Sequence, residues 1–368
     1  MRILVALPAA LDSPLANAIN TFKMADGYAR LGHEVFVVCR EPNSVSFTVS
    51  DLRTRLSLSD SVVFEPTRSR IFWPSLDRNE VFAWQVARKA RELRPAIAYC
   101  RALLPPVFLA RAGVPVVAET HLISRDRRTR ALAKAARRLQ NLRAIVTIAP
   151  TIAAHLTELG APATKVLTLP SGVDLALFAR PGGRPLRRSP SPQVVYSGHL
   201  YDYKGIPTIL QAAALLPEIR FTLVGGLPKD LERARETVRK RSLSNVQLIG
   251  MKPYAEVPAI LWDADVLLLP PSSRHRSAAF TSPVKLGEYL ASGSPVVATR
   301  IPALEHIVTD REVCFVPPDD APALAAGIRR VLSDSPYAER LSTAAMALAA
   351  ELSYAGRAQT ILDHALRV

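Results

Sequence analysis

Short apolar segments alternate with amphipathic segments along the first half of the chain. The apolar segments predict strands near residues 2–7, 34–39, 96–100, 115–118, 144–148 and 165–169. Apolar residues at helical spacing predict helices near 17–31, 78–93, 104–111, 127–141 and 150–159. Because strands that alternate with helices are typical of parallel sheets covered by helices, we expect a doubly wound α/β domain here.

The same alternation restarts after residues 179–193, which are rich in Pro, Gly, Ser and Arg and predict a linker. Strands are predicted near 193–197, 220–224, 246–249, 265–269, 295–299 and 313–316, with helices near 206–217, 228–241, 254–263, 283–292, 302–309 and 320–333. Residues 337–368 predict one or two further helices. We therefore expect Rossmann-like domains at 1–178 and 194–352, with a C-terminal helix at about 353–368 packing back on the first. A ligand cleft is expected between the carboxyl ends of the two sets of strands.

Length and composition agree with two domains. A chain of 368 residues fits two domains of about 180 residues each, and a hydrophobic fraction of 49% allows full cores. No apolar run approaches the ~20 residues that span a bilayer, and the first eight residues are too short for a signal peptide. The widely spaced Cys39, Cys100 and Cys314 predict reduced, buried thiols in a cytoplasmic protein.

The positive charge is concentrated in the first half. Of the net charge of +15, residues 1–190 contribute +14, from 28 Lys and Arg against 14 Asp and Glu. Many of these cations fall in the segment Arg125–Arg143, where apolar residues recur at helical spacing and predict a basic amphipathic helix. This helix is either a solvated basic face or a docking surface for an anionic membrane or acidic acceptor. Nucleic acid is not expected as a partner, because aromatic residues for base stacking are sparse.

Residues 281–299 predict an anion site at the start of a helix. Ser282 is a favourable N-cap, Pro283 suits the first helical position, and Gly293 suits the helix end. Such a helix start offers free N–H groups to a phosphate. Glu288 follows about a turn and a half later, where its carboxylate can accept hydrogen bonds from sugar hydroxyls. This combination indicates a nucleotide-sugar site.

A second candidate phosphate site follows the first strand of the second domain. Gly198 permits close approach to the backbone, and Lys204 stands just before the next helix, where its ammonium can reach a pyrophosphate. His199 can donate to the same oxygens. The alternative for Lys204 is an ordinary exposed lysine.

These segments together resemble the retaining family 4 glycosyltransferases of the GT-B fold. The pattern Gly-Arg-Leu-x-x-x-Lys-Gly of that family corresponds to residues 198–205, and its Asn-Gly-Val-Asp-x-x-x-Phe to residues 171–178. The second glutamate of its Glu-x7-Glu motif corresponds to Glu288, and the Ala-x-Gly-x-Pro-Val-Val-Ala that follows corresponds to residues 291–298. The resemblance covers nearly the whole chain and is specific over residues 165–330.

The resemblance implies roles for individual residues. Lys204 and His199 would hold the donor diphosphate, Glu288 the ribose, and His121 at a strand end would approach the donor sugar. The catalytic set is therefore predicted as Lys204, His121 and His199. The donor-binding set is predicted as Gly198, Lys204, Gly225, Met251, Lys252, Thr281, Ser282, Pro283, Val284, Lys285 and Glu288.

The sequence departs from the family pattern in three places. His199 replaces the arginine of the family, and Phe280 replaces the first glutamate of Glu-x7-Glu. The usual Gly-Phe-Gly is Thr281-Ser-Pro283, which resembles a subgroup with Ser-Pro-x-Lys. In that subgroup Thr281, Ser282 and Lys285 can supply phosphate donors. A lysine in the first helical turn opposes the helix dipole, which an anion bound beside it would explain, although a surface lysine is the alternative.

Two further sets of residues have weaker signals. Asn17 and Asn20 stand near a helix start and either face the acceptor or cap the helix. The Asp263-Ala-Asp265 sequence is predicted to be structural, because it lies at the start of a strand, away from the cleft. No metal site and no cofactor are predicted.

The leading hypothesis is a metal-independent, retaining hexosyltransferase. It would move a sugar from a UDP- or GDP-sugar to a lipid-linked or cell-envelope glycan or glycolipid, and it would be cytoplasmic and peripheral on the inner face of the cell membrane. The GT-B fold leaves two alternatives open, a sugar-nucleotide epimerase and a non-catalytic nucleotide-sugar-binding partner. Phe280 motivates the second of these.

Overall fold

The computed structural model describes residues 1–68, 77–182 and 191–367. These residues form two α/β units, one of Met1–Gly172 with the segment from Ser353 onward, and one of Val173–Leu352. Each unit contains one parallel sheet, of seven strands in the first and six in the second. The prediction of doubly wound α/β structure is therefore confirmed. Of the predicted linker 179–193, residues 183–190 lie outside the described residues.

The first unit orders its strands as β3-β2-β1-β4-β5-β6-β7. Its strands are β1 Arg2–Ala10, β2 Glu34–Arg40, β3 Val62–Thr67, β4 Ile97–Cys100, β5 Val116–Thr120, β6 Leu142–Thr147 and β7 Val166–Thr168. Its helices begin with α1 Ala16–Arg30, α2 Val49–Leu56, α3 Arg78–Leu93, α4 Pro105–Arg111, α5 Arg127–Arg138 and α6 Pro150–Glu158. The central β1 is fully buried over residues 3–6, which explains why its run is almost purely apolar.

The second unit orders its strands as β10-β9-β8-β11-β12-β13. These strands are β8 Gln193–Ser197, β9 Arg220–Val224, β10 Val246–Gly250, β11 Val266–Leu269, β12 Val296–Thr299 and β13 Cys314–Val316. Its helices are α7 Leu175–Phe178, α8 Ile206–Ala214, α9 Pro228–Lys240, α10 Val257–Trp262, α11 Val284–Ser292, α12 Pro302–Glu305, α13 Ala321–Ser333 and α14 Ser335–Glu351. A last helix, α15 Tyr354–Arg367, belongs to the first unit. No helix of the described residues is long and apolar enough to cross a bilayer.

The sequence pattern missed α2 and β3. The strand β3 lies at the edge of its sheet and contains Pro66, which an edge position tolerates because one side of the strand has no partner. Val63 is exposed and Val62 is buried, so the segment lacks the continuous apolar run of the central strands. Its neighbour α2 begins with a capping box between Thr48 and Asp51, a signal that sequence inspection overlooked.

The helix α15 is anchored in the first unit by a buried ion pair. Arg357 donates to Glu119 on β5 (Nη2 to Oε2, 2.8 Å), and both side chains are at most 5% exposed. The guanidinium also donates to the carbonyl of Pro170 (2.8 Å), and the hydroxyl of Tyr99 donates to the same Glu119 oxygen (2.5 Å). Burial alone would raise the pKa of Glu119, but the charge of Arg357 holds it well below its usual value.

We expect Arg357→Met to destabilise the protein by about 3–5 kcal/mol, because Glu119 would remain as a buried charge without its partner. Arg367→Met, at the exposed end of the same helix, should change the free energy of unfolding by less than about 0.5 kcal/mol. Denaturant unfolding measures both. Combining Arg357→Met with Glu119→Gln should recover part of the loss. Equal stability of the two single variants would contradict the structural role of the pair.

Candidate functional site

Two glycines bring the loops after β8 and β9 together at the carboxyl edge of the second sheet. Gly198 has φ 137°, and Gly225 has φ 108°. A Cβ at Gly225 would lie 2.5 Å from the carbonyl oxygen of Gly198, and a Cβ at Gly198 would lie 2.4 Å from Nζ of Lys285. Both positions therefore require glycine. The absence of a Cβ at Gly198 leaves the space that the Lys285 ammonium occupies.

Lys285 is fixed by an aromatic partner rather than by a carboxylate. Its Nζ donates to the Tyr196 hydroxyl (2.8 Å) and lies 4.0 Å from the centroid of that ring. Tyr196 in turn donates to the carbonyl of His199 (2.6 Å). Burial, and then the charge of Lys204, hold the pKa of Lys285 well below its usual value, against the opposing effect of Glu288. Within the described residues, no carboxylate lies within ion-pair distance of Lys285. This environment is not that of an ordinary surface lysine.

Lys204 lies in a tight turn that only glycine can close. The 3₁₀ turn Asp202–Lys204 ends at Gly205, which has φ 87°, and a Cβ there would lie 1.8 Å from the carbonyl oxygen of Pro270. Burial lowers the pKa of Lys204. Since the charge of Lys204 also depresses the pKa of Lys285, the two ammonium groups act on the same small region.

His199 begins a row of stacked rings that sequence reasoning did not predict. His199 stacks on Tyr201, Tyr201 on Tyr203, and Tyr203 on His275, with centroid separations of 5.0, 5.4 and 4.2 Å. The Nδ1 atom of His199 is buried without a hydrogen-bond partner. Burial and the charges of Lys285 and Lys204 lower the pKa of His199. The recurrence of ring-bearing residues at 199, 201 and 203 was the available signal, although Tyr203 lies in the 3₁₀ turn Asp202–Lys204 rather than in extended backbone.

The helix α11 begins one residue later than predicted. Ser282 is not its N-cap: Pro283 occupies that position with φ −66° and ψ 122°, and the helix starts at Val284. The extended ψ of Pro283 delays the helix, so Lys285 is its second residue. Thr281 and Ser282 immediately precede this start, and Thr281 N donates to the carbonyl of Ser277 (2.8 Å). Phe280 is half-buried and follows the 3₁₀ turn Arg276–Ala279.

Glu288 is a buried carboxyl group on the same helix. Burial raises its pKa to about 7, while Lys285 and a hydrogen bond with Tyr254 oppose the shift, and the nearby charge of Asp174 adds to it. The next residue, Tyr289, fixes the helix to β8 by accepting from the backbone N–H of Ser197 (2.7 Å). Asp174 and Tyr289 were not predicted as site residues, although Asp174 lies in the Gly-Val-Asp motif.

Two of the predicted donor-binding residues, Met251 and Lys252, follow the edge strand β10. Met251 is 62% exposed. Lys252 is also exposed, and its Nζ lies 3.7 Å from Oε2 of Glu256. They stand at the carboxyl end of β10, whose neighbour β9 leads into Gly225. The predicted donor-binding residues thus lie on loops at the carboxyl edge of the second sheet and on the helix α11.

In the first unit, His121 has both ring nitrogens engaged. Nε2 lies 2.6 Å from Oε1 of Glu119, and Nδ1 lies 2.8 Å from Nη2 of Arg101. A guanidinium can only donate, so Nδ1 accepts and Nε2 carries the proton that it donates to Glu119. Burial and the charge of Arg101 lower the pKa of His121 to about 4, against the opposing effect of Glu119. His121 is therefore a neutral imidazole near pH 7, and its proposed catalytic role stays a prediction.

Asn17 and Asn20 differ in their surroundings. Asn20 is buried, and its Oδ1 accepts a hydrogen bond from the Tyr354 hydroxyl, which ties α1 to α15. Asn17 is exposed in the first turn of α1, and its carbonyl lies 3.4 Å from Nη1 of Arg101. An acceptor contact by either side chain stays a prediction.

Asp265 has a structural hydrogen bond in the second unit. Its Oδ2 accepts from the backbone N–H of Gln193 (2.7 Å) at the amino end of β8, the edge opposite the candidate site. Among the described residues, no group of three or more His, Cys, Asp and Glu side chains is placed to hold a metal ion.

The two halves of the chain match two protein families. Residues 184–347 match the family of glycosyl transferases group 1, and residues 20–177 match Glycosyltransferase Family 4.

Curated relatives align over about half of the chain. The putative colanic acid biosynthesis glycosyltransferase WcaL of Escherichia coli is 32% identical over 180 residues, 47% of this chain and 43% of that protein. The amylovoran biosynthesis glycosyltransferase AmsK of Erwinia amylovora is 28% identical over 187 residues, 48% of this chain and 44% of that protein. The match thus spans less than half of each of these two relatives.

Solved structures align over essentially the whole chain. Anabaena HepE in complex with UDP gives a TM-score of 0.78 at 17% identity and covers 100% of both chains. WaaG, a glycosyltransferase involved in lipopolysaccharide biosynthesis, gives a TM-score of 0.67 at 16% identity and covers 98% of both chains. At these identities the matches establish the fold alone, which is the GT-B fold of two Rossmann-like domains.

We expect Glu288→Gln to remove a pH-dependent loss of stability. With a folded-state pKa of about 7 against an unfolded value of 4.5, Glu288 binds more protons in the folded state. Stability is therefore lost as pH rises from about 4.5 through 7. Relative to wild type, the variant should gain roughly 1–3 kcal/mol between pH 4.5 and 8 in urea titrations. The exposed Glu256→Gln is the matched control. A constant difference across this range would contradict the assignment.

Proposed function

The chain belongs to the glycosyl transferases group 1 and family 4 glycosyltransferases, and we propose that it transfers a sugar from a nucleotide-sugar to a cell-envelope glycan acceptor. The observation that carries the proposal is the pair Lys204 and Lys285, two partly buried ammonium groups that act on one small region. The depressed pKa values mean that each ammonium is unfavourable without an anion, so a donor diphosphate would stabilise both.

The donor half of the reaction follows from these charges. As the glycosidic bond to the diphosphate breaks, negative charge grows on the leaving group, and preorganised cations lower the energy of that transition state. Lys204, Lys285 and the first turn of α11 would supply this stabilisation without a metal ion. Glu288, once ionised, would accept hydrogen bonds from the ribose hydroxyls. The proposal that the donor is a UDP-sugar rather than a GDP-sugar is supported by HepE, which was solved with UDP and with UDP-glucose.

The substitution of His199 for the arginine of the family changes the balance of charges. A neutral histidine supplies one donor where an arginine supplies a charged fork. Lys285 restores a positive charge beside Gly198, where it approaches from α11. We therefore propose that Lys285 supplies to the diphosphate the positive charge that the arginine of the family would supply. Retention of the anomeric configuration, as the family resemblance implies, belongs to the same proposal.

The acceptor is proposed to be a glycan of the cell envelope, assembled at a membrane surface. WcaL and AmsK are named for the biosynthesis of colanic acid and amylovoran, which supports a polysaccharide acceptor. The helix α5 has no acidic residue and presents exposed Arg127, Arg130, Lys134, Arg137 and Arg138. Its buried Leu132 and Ala133 face the unit's core, so the basic face is free to contact an anionic cytoplasmic leaflet.

We expect Lys204→Ala to lower kcat/KM with a UDP-sugar by roughly 100- to 1000-fold, the usual effect of removing one group that stabilises transition-state charge. The matched control is Lys229→Ala, an exposed lysine of the same unit, which should keep wild-type kinetics. Calorimetric titration with UDP and GDP, and product formation with radiolabelled donors, measure the effect. Wild-type turnover of Lys204→Ala, or absence of nucleotide binding by the wild type, would contradict the proposal. Donor consumption without an acceptor would instead favour an epimerase.

We expect the basic face of α5 to control membrane binding. Replacing Arg130, Lys134 and Arg137 by Gln should weaken binding to phosphatidylserine-containing vesicles by roughly 100-fold, at ~1 kcal/mol for each cation. The matched control replaces Arg235, Arg239 and Lys240 on α9, three exposed cations that have glutamate partners. Vesicle co-sedimentation measures both variants. Equal binding of the wild type to neutral and anionic vesicles would overturn the membrane proposal.

A further inference from the structure

Among the described residues of the first unit, the Arg101 guanidinium has no anionic partner within ion-pair distance. Arg101 follows β4 at the carboxyl edge of the sheet and is half-buried. Its side-chain hydrogen bonds go to Nδ1 of His121 (2.8 Å) and to the carbonyl of Asn17 (3.4 Å), two uncharged acceptors. Among the described residues, no carboxylate lies within 4.0 Å of it. A guanidinium has five N–H donors, so most of its donors stay available.

His121 lies between Arg101 and the carboxylate of Glu119. Glu119 accepts from Nε2 of His121, and Arg357 and Tyr99 donate to the other oxygen of Glu119. The charge of Glu119 is thus balanced by Arg357 within the core. Since the tautomer of His121 presents a lone pair to Arg101, the imidazole orients the guanidinium without neutralising it.

A guanidinium in this environment has donors with which it can bind an anion. Direct contact with Glu119 would have formed an internal ion pair, and the intervening neutral imidazole prevents it. The planar fork of an arginine matches the oxygens of a phosphate or a carboxylate in bidentate geometry. Asn17, exposed beside it in the first turn of α1, adds an amide that can bind a neighbouring hydroxyl.

We propose that Arg101 binds an anionic group of the acceptor, and that Glu119 and His121 are positioning residues that orient its guanidinium. This inference rests on the proposed function and deepens it, because it defines the acceptor as one that carries a phosphate or a carboxylate. A lipid-linked glycosyl phosphate and a glycan ending in a uronic acid share that chemistry. Here His121 contributes through its tautomer rather than through proton transfer.

The test measures acceptor kinetics of the full chain with a UDP-sugar. The acceptor panel consists of a neutral oligosaccharide, an oligosaccharide ending in a uronic acid, and a short-chain isoprenyl phosphate sugar. For the acceptor that is used, Arg101→Gln should raise KM roughly 30- to 100-fold with kcat changed less than about 3-fold, because charged hydrogen bonds are lost. Arg101→Lys should recover part of the effect. Arg111→Gln, an exposed arginine of α4, is the matched control and should behave as wild type.

Separate measurements test the positioning role of His121. Nitrogen-15 NMR, with His121→Gln used to identify the signal, should show a neutral imidazole that is protonated at Nε2 and does not titrate between pH 5.5 and 8. His121→Leu should raise the acceptor KM as Arg101→Gln does, whereas His121→Gln, which keeps one donor and one acceptor, should recover part of that loss in acceptor KM. A signal that titrates near pH 6.5 would overturn the positioning role.

The outcomes separate this inference from the proposed function. Lack of UDP binding and of turnover would reject the proposed function. Intact turnover with unchanged acceptor KM in Arg101→Gln, or equal use of the neutral acceptor, would reject the inference alone. If no panel member is turned over, calorimetry with the isoprenyl phosphate sugar and the uronic acid glycan at saturating UDP decides the case. Binding that Arg101→Gln abolishes supports the inference, and binding that it leaves unchanged overturns it.

Discussion

The close approach of Lys285 to the backbone at Gly198 is the contact on which the donor-binding edge of the second unit depends. A side chain at residue 198 would occupy the position of the ammonium, and the ammonium in turn is held by Tyr196 rather than by a carboxylate. A glycine, a tyrosine and a lysine therefore place a positive charge at a strand end, with no counter-ion in ion-pair distance among the residues that the structure describes. Such an arrangement is unfavourable in the free protein, and an anionic ligand would offset that cost.

Much of this edge could be predicted from the sequence because its signals are local. The glycines of the turn at 198–205 and the helix that ends at Gly293 are set by backbone geometry, which neighbouring residues determine. The partners of the functional side chains are not local. Tyr196 and Lys285 are 89 residues apart, and Glu119 and Arg357 are 238 residues apart, so only the fold brings them together. The start of α11 was misplaced by one residue because Pro283 has an extended ψ and takes the N-cap position instead of Ser282.

The two units differ in how their buried charges are compensated. In the first, Glu119 and Arg357 neutralise each other inside the core, and Tyr99 satisfies a further lone pair of the carboxylate. This pair fixes α15 against the sheet, and its charges are not available to a ligand. In the second, burial lowers the pKa of both Lys204 and Lys285, and the charge of Lys204 lowers the pKa of Lys285 further. The first arrangement fixes the fold, whereas the second is the feature on which the proposed ligand binding rests.

The charge of Glu288 decides whether the two lysines need an external anion. A carboxylate three residues after Lys285 on α11 could have formed an internal ion pair with it and removed the need for an external anion. Instead, burial and Asp174 favour the protonated form of Glu288, and Tyr254 is its hydrogen-bonding partner. With a pKa raised to about 7, the carboxyl group of Glu288 is only partly ionised near neutral pH and cannot fully compensate the lysines. The proposed function therefore gives the acid and the two cations separate roles, with the acid directed to hydroxyl groups and the cations to a diphosphate.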